Sequence, residues 1–282
     1  MTTAIRIIGL ILSIASSVQA DIYRSQDQHG NTVFSDQPAR HAEKIELNNE
    51  PYRYKVSLKR VIDGDTLILE SGETIRLIGI NTPEIDSRFS EAQPGGKAAT
   101  ECLQQTLRDS SIWVEYDAEQ FDKYQRRLAH VFLDSGEYLN AMLLRQGLAM
   151  LTLRPPNLRY SDRLIEAQQQ AEQAGLGVWA MAAYQHKTLA DFEPGRSYRG
   201  WQRWQLMPQS INAGRKYMHL EVSDKLSIHI PKTRLADFMP LEAYLNKPLE
   251  VRGWMRRRGN AHHILVRHPS ALIQLSSASL SR

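Results

Sequence analysis

Two acids, Asp63 and Asp65, stand two residues apart in the run "DGDT". Ten residues on, Arg76 opens the apolar stretch "RLIGI", which leaves through Asn81-Thr82-Pro83 to Glu84 and Asp86. Two loop carboxylates separated by a glycine suit a hard, oxygen-liganded cation such as calcium, and the glycine lets the backbone come close to a ligand. The same four residues also make an ordinary hairpin turn. Arg76 sits among Ile75, Leu77, Ile78 and Ile80, and a guanidinium buried there needs an anion. That anion is either one of the nearby acids or a phosphate arriving with a substrate, gripped through two parallel hydrogen bonds. A third run, "FDKYQRRLAHVFL" at 121–133, places Lys123, Tyr124, Arg126 and Arg127 just ahead of an apolar segment. Cations beside a tyrosine suit a phosphate with a stacked base or sugar.

The patterns around these residues predict the elements that hold them. Residues 56–62, 66–69 and 74–80 read as strands, with Ser71-Gly72 turning between the last two. A helix is expected over 97–108, then strands over 112–116 and 128–133. Leu139, Met142, Leu143 and Gln146 share one helical face, which stops at Gly147. A last helix covers 161–174. The order predicts a mainly β, α+β unit: a five-stranded barrel of the oligonucleotide-binding (OB) type braced by three helices. Cys102 falls on the helical stripe Ala98, Ala99, Cys102, Leu103, Thr106 and Leu107, where it reads as packing rather than as a nucleophile.

The chain has 282 residues, enough for two domains, with 42% hydrophobic and 23% charged residues. Residues 1–20 have one Arg, an apolar run over 7–14 and a Val18-Gln19-Ala20 cleavage pattern. They read as a signal peptide, too short to span a membrane. An exported, periplasmic or secreted protein is expected, without a transmembrane segment after cleavage. Its single cysteine excludes an intrachain disulfide. Residues 21–50 form a small β module around a Gly30-Asn31 turn, and 54–180 hold the chemistry. After a linker over 181–197, residues 198–276 carry five short strands in an OB-like order. Residues 195–282 hold 15 Lys and Arg against 5 Asp and Glu, while the whole chain is only +4. A basic domain behind an acidic one suggests contact with a polyanion, a nucleic acid or an envelope polymer. "RSYRGWQRWQ" and "RGWMRRRGNAHH" interleave arginine with Trp201, Trp204 and Trp254. This suits a single-strand binder, or core tryptophans under a basic surface. His262-His263 lacks an evident third metal ligand.

Taken together, "VIDGDTLIL", "IRLIGINTPE" and "DKYQRRLAHVFLDSGEYLNAMLLRQGLA" resemble the thermonuclease (staphylococcal-nuclease-like) family in order and spacing, over about residues 54–180. The resemblance implies a calcium-dependent phosphodiesterase of DNA and RNA on an OB-type barrel. It implies that Arg76 holds the phosphate, Glu84 prepares the attacking water and Arg126 stands on the leaving-group side. Asp65, Asn81 and the Thr82 carbonyl then bind calcium, Asp63 orients that metal shell, and Lys123 and Tyr124 contact a terminal phosphate. Cleavage would break the bond to the 5′-oxygen and leave 3′-phosphate ends. Two departures stand out. The family commonly has Asp where this chain has Asn81, which predicts weaker calcium binding. The family's tyrosine-rich pocket stretch is here "MLTLRPPN", with Thr152 and Arg154 in place of aromatic groups and Tyr160 as a candidate substitute. The rival expectation is a nucleic-acid-binding protein that has lost catalysis; retention of Arg76, Glu84 and Arg126 favours the enzyme. A monomer without a stable protein partner is expected.

Overall fold

The structure is a computed structural model that describes residues 22–27, 30–38, 42–45, 51–86, 91–108 and 111–275. The expected signal peptide lies outside the described residues. Two compact units separate at Pro51. In the first, β1 (Ile22–Gln26) pairs antiparallel with β2 (Thr32–Ser35) and β3 (Glu43–Ile45), giving the order β2-β1-β3. The third strand joins the two that flank the turn at Gly30-Asn31.

The second unit, residues 52–282, begins with β4 (Tyr54–Val56), β5 (Leu58–Asp63), β6 (Thr66–Leu69), β7 (Thr74–Leu77) and β8 (Ile80–Asn81). Helix α1 (Gly96–Thr106) precedes β9 (Ile112–Phe121) and β10 (Arg127–Leu133). Then come α2 (Leu139–Arg145), β11 (Met150–Leu151) and α3 (Ser161–Gln173). The main sheet runs β4-β9-β10-β7-β6-β5. Its two edge strands, β4 and β5, are joined through Ser57 alone, so the edges lie side by side and the sheet must close into a barrel. Counting β4 and β5 as one bent strand gives the circular order 1-2-3-5-4-1, with strands 3 and 5 parallel through the pairing of β7 with β10. This is the OB-type barrel. Its core holds Leu67, Ile75, Leu77, Ile112, Val131 and the α2 face Leu139, Leu143 and Leu144.

The same circuit recurs. After β12 (His186–Thr188), strands β13 (Gln202–Leu206) and β14 (Ser210–Ala213) are halves of one bent strand. Next come β15 (Tyr217–Ser223) and β16 (Leu226–Pro231), then the second bent pair, β17 (Leu249–Gly253) and β18 (Met255–Arg258), joined through Trp254. β19 (Ala261–Leu265) and β20 (Leu272–Gln274) finish it. One sheet runs β14-β15-β16-β19-β18 and the other β12-β13-β17-β20, so the bent strands close a second 1-2-3-5-4-1 barrel with β16 and β19 parallel.

A buried charge hub and an apolar cluster join the barrels within this unit. Glu250, 4% exposed, accepts from Arg203 Nε at 2.7 Å, Arg252 Nε at 2.6 Å and the His186 ring at 2.9 Å. Arg252 also grips Glu172 of α3 with two bonds of 2.6 and 2.8 Å. Met150, Ala171, Val178, Trp179, Tyr184 and Trp201 pack beside this hub, with Trp254 against them. Trp201 and Trp204 are therefore core residues, 3% and 0% exposed, and not a stacking platform for bases. His262 is buried and bonded to the Arg196 carbonyl at 2.9 Å. Cys102, half-buried against the first core, lies 3.2 Å from the Gln146 amide oxygen.

Candidate active site

Strand β7 alternates, with Ile75 and Leu77 in the core and Thr74 and Arg76 on the other face. Arg76 is thus not trapped in apolar packing, contrary to what its apolar neighbours suggested. The run "RLIGI" is not one strand: it breaks after Leu77 and turns through Gly79 before β8. Arg76 faces polar partners. Its Nη2 lies 2.8 Å from Asp65 Oδ2 and donates to Asn81 Oδ1 at 3.2 Å. Its Nη1 donates to the carbonyls of Leu77 and Ile80 at 2.9 and 3.1 Å. The anion supplied by the fold is Asp65, 5% exposed.

Register places this pair. Thr66 lies opposite Arg76 across β6 and β7, and the Leu77 N–H donates to the Asp65 carbonyl at 3.0 Å. Asp65 Oδ2 also accepts from the Thr82 N–H at 2.8 Å, and Oδ1 from the Thr66 hydroxyl at 3.1 Å. Gly64 makes the approach possible: a Cβ there would lie 2.7 Å from both Ala99 Cβ and Thr82 Cγ2. Asp63, half-buried, accepts from the Asp65 N–H at 3.1 Å. Burial and the neighbouring Asp65 charge push its carboxyl up to about 6.

Glu84 is exposed at the rim. Its backbone is clamped by a residue that sequence reasoning missed: its N–H donates to Gln93 Oε1 at 3.2 Å and its carbonyl accepts from the Gln93 N–H at 2.8 Å. Helix α1 begins directly against it, since a Cβ on Gly96 would lie 2.4 Å from the Glu84 carbonyl oxygen. Desolvation and then the Asp65 charge raise the Glu84 carboxyl above its ordinary value, opposed by Arg76 and Arg126. Those charges place Asp65, Arg76, Glu84 and Arg126 in one electrostatic neighbourhood.

Arg126 lies on the turn between β9 and β10. Asp122, also missed from sequence, holds it: Arg126 Nε donates to Asp122 Oδ2 at 2.7 Å and the Arg126 N–H to Oδ1 at 3.0 Å. Burial alone would raise the Asp122 carboxyl, but the Arg126 and Tyr124 bonds outweigh it and lower it. Tyr124, 66% exposed, has Lys123 Nζ and Arg126 Cζ over its ring at 4.6 and 5.5 Å. Tyr160 is committed elsewhere, with its hydroxyl donating to Glu115 at 2.9 Å and its ring against His130, Phe132 and Tyr138.

Among the described residues, no group of three or more His, Cys, Asp or Glu could hold a metal ion. The candidate donors are instead mixed oxygens. A carboxylate offers about four acceptor positions and an amide or peptide oxygen about two. Asp65 uses three, Asn81 Oδ1 one, and the Thr82 carbonyl one, from Asn81 Nδ2 at 2.8 Å. Each keeps one lone pair, and all are hard, which fits calcium with waters completing the shell.

Residues 74–181 match the family model described as Staphylococcal nuclease homologue, and residues 9–52 match Domain of unknown function (DUF4124). The chain is 41% identical over 125 residues to Thermonuclease of Staphylococcus intermedius, covering 43% of this chain and 74% of that protein. It is 36% identical over 136 residues to Thermonuclease of Staphylococcus hyicus, covering 47% and 79%. It is 32% identical over 165 residues to Endonuclease YncB of Bacillus subtilis, covering 57% and 77%. An OB-type barrel with this likeness defines a nuclease, a phosphodiesterase of the endonuclease class. The chain belongs to the staphylococcal nuclease homologue family.

Proposed function

We propose that this chain is an exported, calcium-dependent nuclease that hydrolyses phosphodiester bonds of DNA and/or RNA. The observation that carries this reading is the convergence of Arg76, Asp65, Asn81 and the Thr82 backbone in one bonded cluster beside Glu84. Glu84 takes a proton from water, and the water oxygen bonds to phosphorus as the bond to the 5′-oxygen breaks. The departing 5′-oxygen takes a proton from solvent water, and Glu84 returns its proton to solvent, leaving a 3′-phosphate and a 5′-hydroxyl. Arg76 and Arg126 stabilise the negative charge that builds on the phosphoryl oxygens. Asp65, Asn81 and the Thr82 carbonyl would hold calcium, with Asp63 orienting the shell; the ion supplies Lewis-acid stabilisation of the same charge. Lys123 and Tyr124 bind a neighbouring phosphate. The leader-like residues 1–20 and a charge-poor calcium set fit an extracellular setting, where modules work at about 0.1–1 mM calcium.

The direct test uses residues 21–282 with plasmid DNA, in calcium and in chelator. Calcium-stimulated cleavage is expected, with a loss of about 10²-fold or more for Glu84→Gln. Equal cleavage by wild type and Glu84→Gln, or no response to calcium, would overturn the assignment.

Asn81→Asp adds a negative ligand charge while keeping an acceptor for Arg76. Calcium affinity, read from the rise of Tm with added calcium, is expected to tighten about tenfold. An unchanged or weaker calcium response would remove Asn81 from the ligand set.

A further inference from the structure

The segment after β11 runs from the active site toward the second barrel. Met150 pairs with Asn81 and Leu151 with Ile80, and the Thr152 N–H donates to the Gly79 carbonyl at 2.8 Å. Arg154 follows two residues later. Its backbone is fixed: the Asn157 N–H donates to the Arg154 carbonyl at 3.1 Å, and Asn157 is bonded through both amide atoms to the Glu119 backbone at 2.7 and 2.8 Å. Thr152 and Arg154 line a cleft whose far wall is the second barrel, with Arg267, His268, Ser270 and Trp254.

Arg154 and Arg267 have no acidic partner among the described residues, and neither has Arg256 on β18. This contrasts with Arg203, Arg234 and Arg252 in the same barrel, each paired with a carboxylate. Burial and repulsion by other arginines lower the guanidinium affinity for protons at Arg154 and Arg267; Arg154 feels Arg267, Arg76 and Arg256, opposed by Asp122, and Arg267 feels Arg256, opposed by Tyr217. Arg256 is exposed on β18, two residues beyond Trp254 of the cleft wall. Like charges gathered this way raise the free energy of the unliganded protein unless an anion joins them.

We propose that Arg154, Arg256 and Arg267 form a second phosphate-binding site, which extends the candidate active site along the segment after β11 onto the second barrel and holds the backbone of a nucleic acid strand several nucleotides from the cut. The site takes phosphodiester groups, and Trp254, half-buried at its edge, offers a ring edge beside them. The inference rests on the nuclease reading for its ligand. It gives the second barrel's surplus of positive charge a defined role, the grip on long strands.

The test measures binding of a 12-nucleotide and a 3-nucleotide single-stranded DNA to full-length protein in chelator, across a salt series. Arg256→Gln/Arg267→Gln is expected to weaken 12-mer binding about tenfold or more and to flatten its log–log salt slope by about 1.4, two phosphates at about 0.7 each. The 3-mer should lose much less. Lys232→Gln/Lys247→Gln removes the same charge from exposed positions outside the cleft and is the control for net charge. Equal losses in the two double variants, or an unchanged 12-mer slope, would overturn the proposal. Arg256→Glu, a single change at an exposed position, must weaken 12-mer binding further if the site is real, and covers the case in which the double variant folds poorly. Plasmid cleavage by the wild type separates the two readings. A protein that cuts but shows no arginine-specific slope loses only the second site; one that shows the slope but does not cut loses only the catalytic assignment.

Discussion

Arg76→Ala is expected to lower calcium-stimulated cleavage by about 10³-fold and to destabilise the fold by about 3 kcal/mol. The two losses have different origins. Arg76 is the ion-pair partner of Asp65 at 2.8 Å and ties the β8 segment through Asn81 and two carbonyls. Its removal leaves a buried carboxylate with only the Thr82 N–H and the Thr66 hydroxyl. On the proposed nuclease reading, the activity loss comes from the missing guanidinium charge at the phosphate. Arg76→Lys distinguishes them: a single ammonium keeps much of the attraction to Asp65 but not the planar fork. Its stability should recover in part while cleavage stays low. Denaturant unfolding and plasmid cleavage measured on all three proteins check this. Cleavage within about tenfold of wild type in Arg76→Ala would place the phosphate elsewhere.

Glu250→Ala is expected to cost about 3–5 kcal/mol, a Tm drop of about 10 °C in a unit of this size. Glu250 is the shared acceptor of Arg203, Arg252 and His186, and removing it leaves buried guanidinium groups facing one another beside Trp179. Arg252 keeps Glu172, so the damage falls most on Arg203. The pH dependence has a definite sign. Burial alone would raise the Glu250 carboxyl, but the His186 bond and the two arginines reverse this and drive it far below its ordinary value of 4.5. Its contribution is therefore complete above about pH 4.5 and is lost as pH falls below that. The stability gap between wild type and Glu250→Ala, followed by thermal melts from pH 5 downward, should narrow under acid. A gap that widens under acid would show that the carboxylate is not the stabilising species.

Much of the first barrel was legible because its signals are local. The turn at Ser71-Gly72 and the helical face of α2 need no distant contact to be read. Arg76 stood out because a charge among apolar neighbours demands a partner, and Glu84 and Arg126 took their roles from the family resemblance. The partner itself was not legible. Asp122 looked like any loop acid, and Gln93 lies nine residues past the Glu84 backbone it clamps, in a stretch with no pattern. The tryptophans in 201–204 read equally well as surface or core, and burial decided for the core.

By itself, the sequence determined the order of the strands, the charge surplus of the C-terminal region and the residue types available for phosphodiester chemistry. Local propensity, patterning and composition carry that information. Only the tertiary structure decided that Asp65 is the partner of Arg76, that Arg252 joins the two barrels through Glu172, and that Arg154 and Arg267 line one cleft. These residues lie 11 to more than 100 positions apart and meet when one bent strand in the first barrel and two in the second bring the sheet edges together. No local pattern encodes such a meeting, because closure depends on the register and twist of every strand between.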